Sequence, residues 1–385
     1  MESAALVHCV GILRCPITGQ VLSILSPAEI AECNRRQASD ALVYRNGTPA
    51  PIAVTFALGT PGRDQIYRVE DSIPWLLPDL ALIDTAAVGT ASFTAERKVV
   101  QSFYDEYGWV KSDDGLFNDT AQFTDTSTFT RDYQRYCNAR IGRELPGGQY
   151  LLDVASGAIP HAEYLEFSRG YKIRICVDFS IRALREARAK LGEDGLYLLS
   201  DITRLPLASD IVDTVISLHT IYHVPKTEQT NAVDELVRVT KSGGRIIIVY
   251  TWATSIAMDF AFGLRRWLGR IRHALRPREE SSAAATSAMS TVPPLYFSPQ
   301  DYAWYAREVA SRHRARLKVW SAVSMTFQTR FFSPHRSGRM LLAVVKGMED
   351  YFPWLCGRFG QYPMFVISKS DSFRMSPESP RLPRG

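Results

Sequence analysis

At 385 residues, with 46% apolar and 22% charged side chains, the chain has a globular composition and is long enough for one large or two ordinary domains. A net charge of +5 over that length does not by itself imply a nucleic-acid partner. Six scattered cysteines (Cys9, Cys15, Cys33, Cys137, Cys176, Cys356) exclude a disulfide framework and fit a reducing, cytoplasmic setting.

The opening "MESAALVHCVGILRC" has no basic n-region or small-residue cleavage site, so no signal peptide is expected. The nearest approach to a membrane span, "IIIVYTWATSIAMDFAFGL" (246–264), is interrupted by Asp259 and several Thr and Ser residues. It reads as a strand, a turn and a helix, so no transmembrane segment is expected.

Residues 1–80 alternate short strand-like pieces with Pro/Gly turns, and no long helix is expected there. "LRCPITGQVL" and "YRVEDSIPWLLPDL" resemble the two ends of a Trm112-like or zinc-ribbon module, which opens on Cys-Pro-x-Cys and closes on "I-P-x-L-L-P". Here Cys15-Pro16-Ile17-Thr18 lacks the second cysteine, and Cys33 has no Cys-x-x-Cys partner. Structural zinc needs four N/S ligands, so a degenerate, metal-free β-rich module is expected over 1–85.

Residues 95–145 read as helical. "AERKVVQSFYDEYGW" places Val99, Phe103 and Tyr107 at helical spacing, "TRDYQRYCNARIGREL" follows, and "LPGG" ends the run. Strands then alternate with helices. "YLLDV" (150–154), "KIRICVD" (172–178), "LYLLS" (196–200), "VDTVISL" (212–218) and "RIIIVYTW" (245–252) are apolar strands. "SIRALREARAKLG" is a helix with Ser180 as N-cap and Gly192 as stop; "TEQTNAVDELVRVTKSGG" is another. This rhythm predicts an α/β fold with a parallel sheet covered on both faces. Residues 253–276 read as a basic helical stretch, 277–294 as mobile, "RLKVWSAVSM" and "PMFVISK" as two late strands, and 371–385 as a disordered tail.

In an open parallel sheet, ligands bind beyond the carboxyl ends of the strands. After the first strand stands Asp153-Val154-Ala155-Ser156-Gly157-Ala158. A dinucleotide loop needs Gly-x-Gly-x-x-Gly, and a carboxylate aimed at a pyrophosphate would be repelled. The same carboxylate suits a cation. S-adenosylmethionine, with an ammonium, a sulfonium and no phosphate, fits better than NAD. Asp178, followed by Phe179, is placed to accept two ribose hydroxyls; Asp201 could accept an adenine amino group, with Ile202 against the ring.

Together, "LLDVASGAIP", "ICVDFS", "LSDITRLPLASDIVDTVISLHTIYHV" and "ELVRVTKSGGRIIIVY" resemble the class I S-adenosylmethionine-dependent methyltransferases over 150–250. The resemblance implies a Rossmann-like sheet, mostly parallel with an antiparallel edge hairpin, over 95–370 with an insertion at 253–316. It also implies a cofactor site built from Asp153, Ala155, Gly157, Asp178, Phe179, Asp201, Ile202, Ser217 and Leu218, with Tyr104 or Tyr107 of "SFYDEYGW" as a lid. Ala155 replaces the family's first glycine and is expected to lose the φ > 0 option.

The acceptor is expected after the fourth strand, in "SLHTIYHVP". His219 and His223 are four apart, share a face if the segment is helical, and are the candidate general bases. The absence of Asn/Asp-Pro-Pro-Tyr argues against amino-group methylation of adenine or glutamine, and the absence of an acidic pair argues against a magnesium site. The expected reaction is methyl transfer to an oxygen or nitrogen of a small molecule, a natural product or sugar-linked metabolite. Two alternatives stand beside it. One is an RNA base methyltransferase, suggested by the N-terminal module's resemblance and by the arginine stretches "GLRRWLGRIRHALRPR" (263–278, six arginines) and "AREVASRHRARLKVW" (306–320). The other is a non-catalytic binding protein on the same fold.

Overall fold

The computed structural model describes residues 3–50, 53–88, 95–111, 117–118, 128–263, 267 and 295–370. The arginine-rich run 263–278, apart from Gly263 and Trp267, the 277–294 stretch and the 371–385 tail lie outside them.

The N-terminal part holds helix α1 (Ala4–Cys9), helix α2 (Pro27–Ala38) and six short strands: β1 (Ser23–Ile24), β2 (Leu42–Tyr44), β3 (Ala57–Gly59), β4 (Ile66–Glu70), β5 (Ile73–Pro74) and β6 (Leu82–Asp84). They pair antiparallel in the order β1-β3-β4-β6-β2, with β5 on β4. Helix α2 corrects the expectation of no long helix. Ser26 Oγ accepts from the Glu29 amide, the Glu29 carboxylate accepts from the Ser26 amide at 2.7 Å, and Pro27 stands at the first turn. That capping box starts a helix that turn-rich flanks conceal.

This part has a small core of its own, around Leu25, Cys33, Leu42, Tyr44 and Leu82, and shares a larger one with the central sheet. Leu6, Leu13, Tyr67 and Leu76 share one buried cluster with Leu152, Ile175 and Leu198 of the central sheet. Backbone bonds join the two parts as well: Leu76 N donates to Leu199 O at 2.8 Å, and Arg14 N to Pro206 O at 2.9 Å.

The central sheet contains β7 (Gly148–Val154), β8 (Tyr171–Asp178), β9 (Gly195–Leu199), β10 (Val212–Leu218), β11 (Thr240–Val249), β12 (Ala315–Ser321) and β13 (Tyr362–Ser368). Its order is β12-β13-β11-β10-β7-β8-β9. The strands from β11 to β9 run parallel; β13 pairs antiparallel with β11 and with β12. The order reverses between β7 and β10, which opens a crevice at their carboxyl ends.

Helices cover both faces. On one, α6 (Gln229–Val239) buries Ala232, Val233, Leu236 and Val239. On the other lie α4 (Thr128–Gly142), α7 (Met325–Phe331) and α8 (Arg336–Tyr351), with Tyr133, Phe327, Leu342 and Val345 on Leu151, Ile247 and Val366. A buried polar knot ties α4 to this face. Arg140 donates to Glu349 Oε2 at 2.9 Å and Trp320 O at 2.7 Å, and Tyr133 OH donates to Glu349 Oε1 at 2.5 Å. Helix α3 (Ala95–Phe103) turns Val100 and Phe103 inward and Val99 outward, one residue off the expected stripe.

Arg174 is the largest fully buried side chain, although it sits in the middle of apolar β8. Its Nε and Nη2 donate to Asp153 Oδ2 at 3.2 and 2.5 Å; Nη1 donates to Tyr164 O at 2.6 Å and Ser168 Oγ at 3.2 Å. Removing one member of a buried pair strands the other charge, which costs about 3–5 kcal/mol. Arg174→Met is therefore expected to lose about that much in urea denaturation, and adding Asp153→Asn to recover a large part of it. Equal stability of Arg174→Met and wild type would contradict this.

Candidate functional site

A cavity of about 700 Å³ opens at the crevice beyond β7 and β10. It is lined by Asp153, Ala155, Gly157, Asp178, Phe179, Asp201, Ile202, Leu218, His219, His223 and Tyr104, so all but one of the site residues expected from the sequence reach it. The exception is Ser217. It is fully buried within β10, and its Oγ has no partner among the described residues. Strand alternation turns it away from the crevice that Leu218 faces.

The loop after β7 makes a left-handed turn with alanine at its first glycine position. Ala155 has φ +51°, Gly157 φ +55° and Ile159 φ +50°. Ala155 thus adopts the conformation it was expected to lose, at a cost of about 1–2 kcal/mol. The turn is pinned on both sides. Ser156 N donates to Val177 O at 3.2 Å, and Lys190 Nζ donates to the carbonyls of Ala158 and Ile159, each at 2.7 Å. At Gly157 a Cβ would lie 2.4 Å from Cζ2 of Trp109, whose ring stacks on Tyr104 at 5.6 Å between centroids.

Asp153 lines the cavity, but Arg174 already holds its Oδ2. This corrects the electrostatic argument from the sequence: Asp153 is not a free counter-charge for a cation. The cavity acid left without a cation among the described residues is Asp178. Gly157 N donates to Asp178 Oδ2 and Ser180 N to its Oδ1, each at 2.8 Å, and no cation pairs with it among the described residues. Burial pushes its carboxyl up to about 7, against the pull of those two amides; the charges of Asp105 and Asp153 add to the rise. Each carboxylate oxygen retains a lone pair. Asp201 is more heavily engaged. Its Oδ1 accepts from Thr203 N and Oγ1, each at 2.8 Å, and its Oδ2 lies 3.2 Å from Nη1 of Arg97, which also bonds Thr203 and Glu228.

The two histidines reach the cavity separately. His219 ends β10 with φ +61°, and Ile221–His223 is a single 3₁₀ turn, so the shared helical face is not formed. His219 packs edge-on against Trp320 at 4.5 Å between centroids, and burial holds its imidazole down at about 3. Burial holds His223 down at about 4, so both are neutral near pH 7. His223 Nδ1 lies 2.8 Å from Tyr296 O. A carbonyl only accepts, so Nδ1 carries the proton and Nε2 is the basic nitrogen.

Beyond the histidines the lining comes from α4, β12 and α7: Gln134, Asn138, Trp320, Ser324, Met325 and Gln328, with Thr251, Gln361 and Tyr362. None is charged. Three buried lining atoms have no partner among the described residues: Trp109 Nε1, Ser200 Oγ and Gln328 Oε1. Buried polar atoms without partners are rare in folded proteins, and three of them border this cavity. Sequence reasoning missed Arg97, Trp109, Arg174 and Gln328. Only Arg174 carried a signal, a lone charge inside an apolar strand.

Residues 152–248, from β7 to β11, match a family model described as a methyltransferase domain. An uncharacterized methyltransferase of Mycobacterium bovis (strain BCG / Pasteur 1173P2) is 34% identical over 134 residues, covering 34% of this chain and 51% of the relative. One of Mycobacterium leprae (strain Br4923) is 30% identical over 141 residues, covering 34% and 48%. The chain thus spans about half the length of the curated relatives it matches. Among solved structures, geranyl diphosphate C-methyltransferase from Streptomyces coelicolor A3(2) is 13% identical with a TM-score of 0.41, covering 73% of this chain and 100% of that one. The segment from β7 to β11 is thus similar to methyltransferase domains.

The loop generates a paired prediction. Gly157→Ala drives a methyl into the Trp109 ring and is expected to weaken S-adenosylmethionine binding at least about tenfold. Ala155→Gly relieves a left-handed alanine and is expected to hold or raise the melting temperature, by up to about 3 °C. Calorimetric titration and a thermal melt of both variants decide; a fall in melting temperature for Ala155→Gly counts against the strained turn.

Proposed function

We propose that the whole chain is an S-adenosylmethionine-dependent methyltransferase acting on an oxygen or nitrogen of an uncharged small molecule. The observation that carries this is the polarity of this cavity. Its β7–β9 side holds the unpaired Asp178, and its β11–β12 side has aromatic, hydroxyl and amide groups with no charged side chain. Natural-product or sugar-linked acceptors are of this kind. In the same reading 1–85 is an accessory β-rich module sealed onto a catalytic domain of 95–370.

The residues present fit the cofactor. Asp178 would receive the ribose hydroxyls through its remaining lone pairs, Phe179 and Ile202 would flank the adenine, and Asp201 would meet its amino group. The 155–157 turn would face the methionine end. The bound cofactor supplies an electrophilic methyl on a sulfonium. The chain does the rest by positioning and by excluding water. Tyr104 and Trp109 close the cavity over the 155–157 turn. His223, neutral and held by Tyr296 O, presents Nε2 as the acceptor for the proton that leaves a hydroxyl. His219 props Trp320 at the acceptor side. Gln328 offers its unpartnered Oε1 to a donor on the acceptor.

Two predictions follow from this assignment. Calorimetry with S-adenosylmethionine should give saturable binding, weakened at least about tenfold in Asp178→Ala. Hydroxyl donors favour the charged carboxylate, so binding releases a proton from a group that titrates near 7 when empty. Wild-type affinity should therefore fall as pH drops from about 8 to 6, and the Asp178→Ala profile should be flat. No heat from folded wild type would end the enzyme assignment and leave a non-catalytic binding protein.

For the acceptor, methyl-tritiated S-adenosylmethionine is incubated with the protein and a bacterial lysate. Label should enter neutral, solvent-extractable small molecules. Gln328→Leu should lower that incorporation at least about tenfold with cofactor affinity unchanged. Label confined to precipitated RNA would replace this reading with the RNA one.

A further inference from the structure

Helix α8 is apolar on two opposite sides. Leu342 and Val345 face inward, packed against the central sheet. Met340, Val344, Met348 and Tyr351 recur at the spacing of one helical stripe and are 70, 53, 50 and 83% exposed. The stripe continues through Phe352 into helix α9 (Pro353–Phe359), where Trp354 and Leu355 are also exposed. A surface helix needs one apolar stripe; a second, turned to water and ending in Tyr, Phe and Trp, needs a partner.

The charges around the stripe say which partner. Arg336, Arg339, Lys346 and Arg358 belong to α8 and α9, and Arg336 and Arg339 have no ion-pair partner among the described residues. Lys346 and Arg358 rest over the rings of Tyr136 and Tyr302, at 4.3 and 4.1 Å from their centroids. The only acids of the two helices are both engaged: Glu349 is buried against Arg140 and Tyr133, and Asp350, though exposed, bonds Arg140 and Tyr136. The face is thus apolar, aromatic and cationic, with no free carboxylate from its own helices. A second copy meeting this face through a two-fold axis would bring the same cations and no free acid from these helices to receive them. Phosphates of anionic lipid receive them, and Tyr, Trp and Met side chains suit the headgroup level of a bilayer. Among the described residues no helix is long and apolar enough to cross a membrane, so the contact is one that lies on the surface.

We propose that the outer face of α8 and the start of α9 docks this protein on anionic bilayers, with the apolar stripe at the acyl boundary and the flanking cations on lipid phosphates. The site is separate from the cavity lining and does not depend on the proposed reaction.

The test is co-sedimentation of the full chain with vesicles. Vesicles of equal parts phosphatidylcholine and phosphatidylglycerol should pellet at least about fivefold more protein than pure phosphatidylcholine, and high salt should remove the difference. Met340→Glu/Met348→Glu/Tyr351→Glu changes only exposed positions. It should abolish pelleting while the melting temperature and S-adenosylmethionine affinity stay unchanged. Should that variant misfold, Arg336→Glu/Arg339→Glu decides, with at least about a fivefold loss on the anionic vesicles. Wild type that stays in the supernatant with anionic vesicles overturns the proposal. So does a dimer seen by light scattering that the triple variant converts to monomer, since a second copy then covers the stripe.

Discussion

The buried pair of Arg174 and Asp153 is the constraint on which the site depends. Asp153 sits one residue before the end of β7, and Arg174 stands on the neighbouring strand, on the same face of the sheet. A guanidinium is never neutral in a protein, so burying it obliges every donor to find an acceptor. Arg174 finds them in Asp153 and in Tyr164 O and Ser168 Oγ of the 162–168 segment. The backbone after β7 is therefore held at Asp153, by the β8 bond to Ser156, and by Lys190 at Ala158 and Ile159. Held at both ends, it can keep Ala155 and Ile159 in a region that L-residues avoid. The glycines of the usual loop permit that turn; here the flanking contacts impose it.

The same pair redistributes charge in the cavity. With Asp153 bound to Arg174 and Asp201 shared between Arg97 and Thr203, Asp178 is the acid without a cation among the described residues. A buried carboxylate held only by two amides is poorly satisfied, and its raised proton affinity is the sign. A ligand that donates hydroxyls relieves it. Across the switch point the lining turns to amides and rings, so the acidic and the uncharged lining occupy different sides of one cavity.

Residues that act through chain-local rules were legible in the sequence. Strand apolarity located "YLLDV", "KIRICVD" and "VDTVISL" within a residue or two of β7, β8 and β10. Ser180 caps its helix by accepting from Ala183 N, and Gly192 ends it. Properties set by distant contacts were not legible. The role of Asp153 depends on a partner 21 positions away, and Gly157 answers to a ring contributed by residue 109. His219 and His223 look like helix neighbours by spacing, but the bond from His219 N to Val249 O, at 3.0 Å, ties the first to the end of the sheet, and its φ of +61° takes it out of any helix. Gln328 has no local signature. It matters because its Oε1 is buried unpaired beside the cavity, which only the packing of α7 on the sheet decides.

The edges of the central sheet explain where the unsatisfied surface falls. An exposed parallel edge invites pairing with other chains. At β9 the N-terminal part closes it with Leu76 N on Leu199 O and a common apolar core. At the other end β12 and β13 double back antiparallel, and α9 packs on β12: a Cβ on Gly357 would lie 2.3 Å from Lys318 O. That closeness fixes α9 and, through Phe352 at the junction, the end of α8. The inner stripe of α8 is committed to the sheet by Leu342, Val345 and Glu349, so the helix cannot rotate to bury Met340, Val344 and Tyr351 instead. The outer stripe is thus a consequence of sealing the hairpin edge, and its burial requires something beyond this fold.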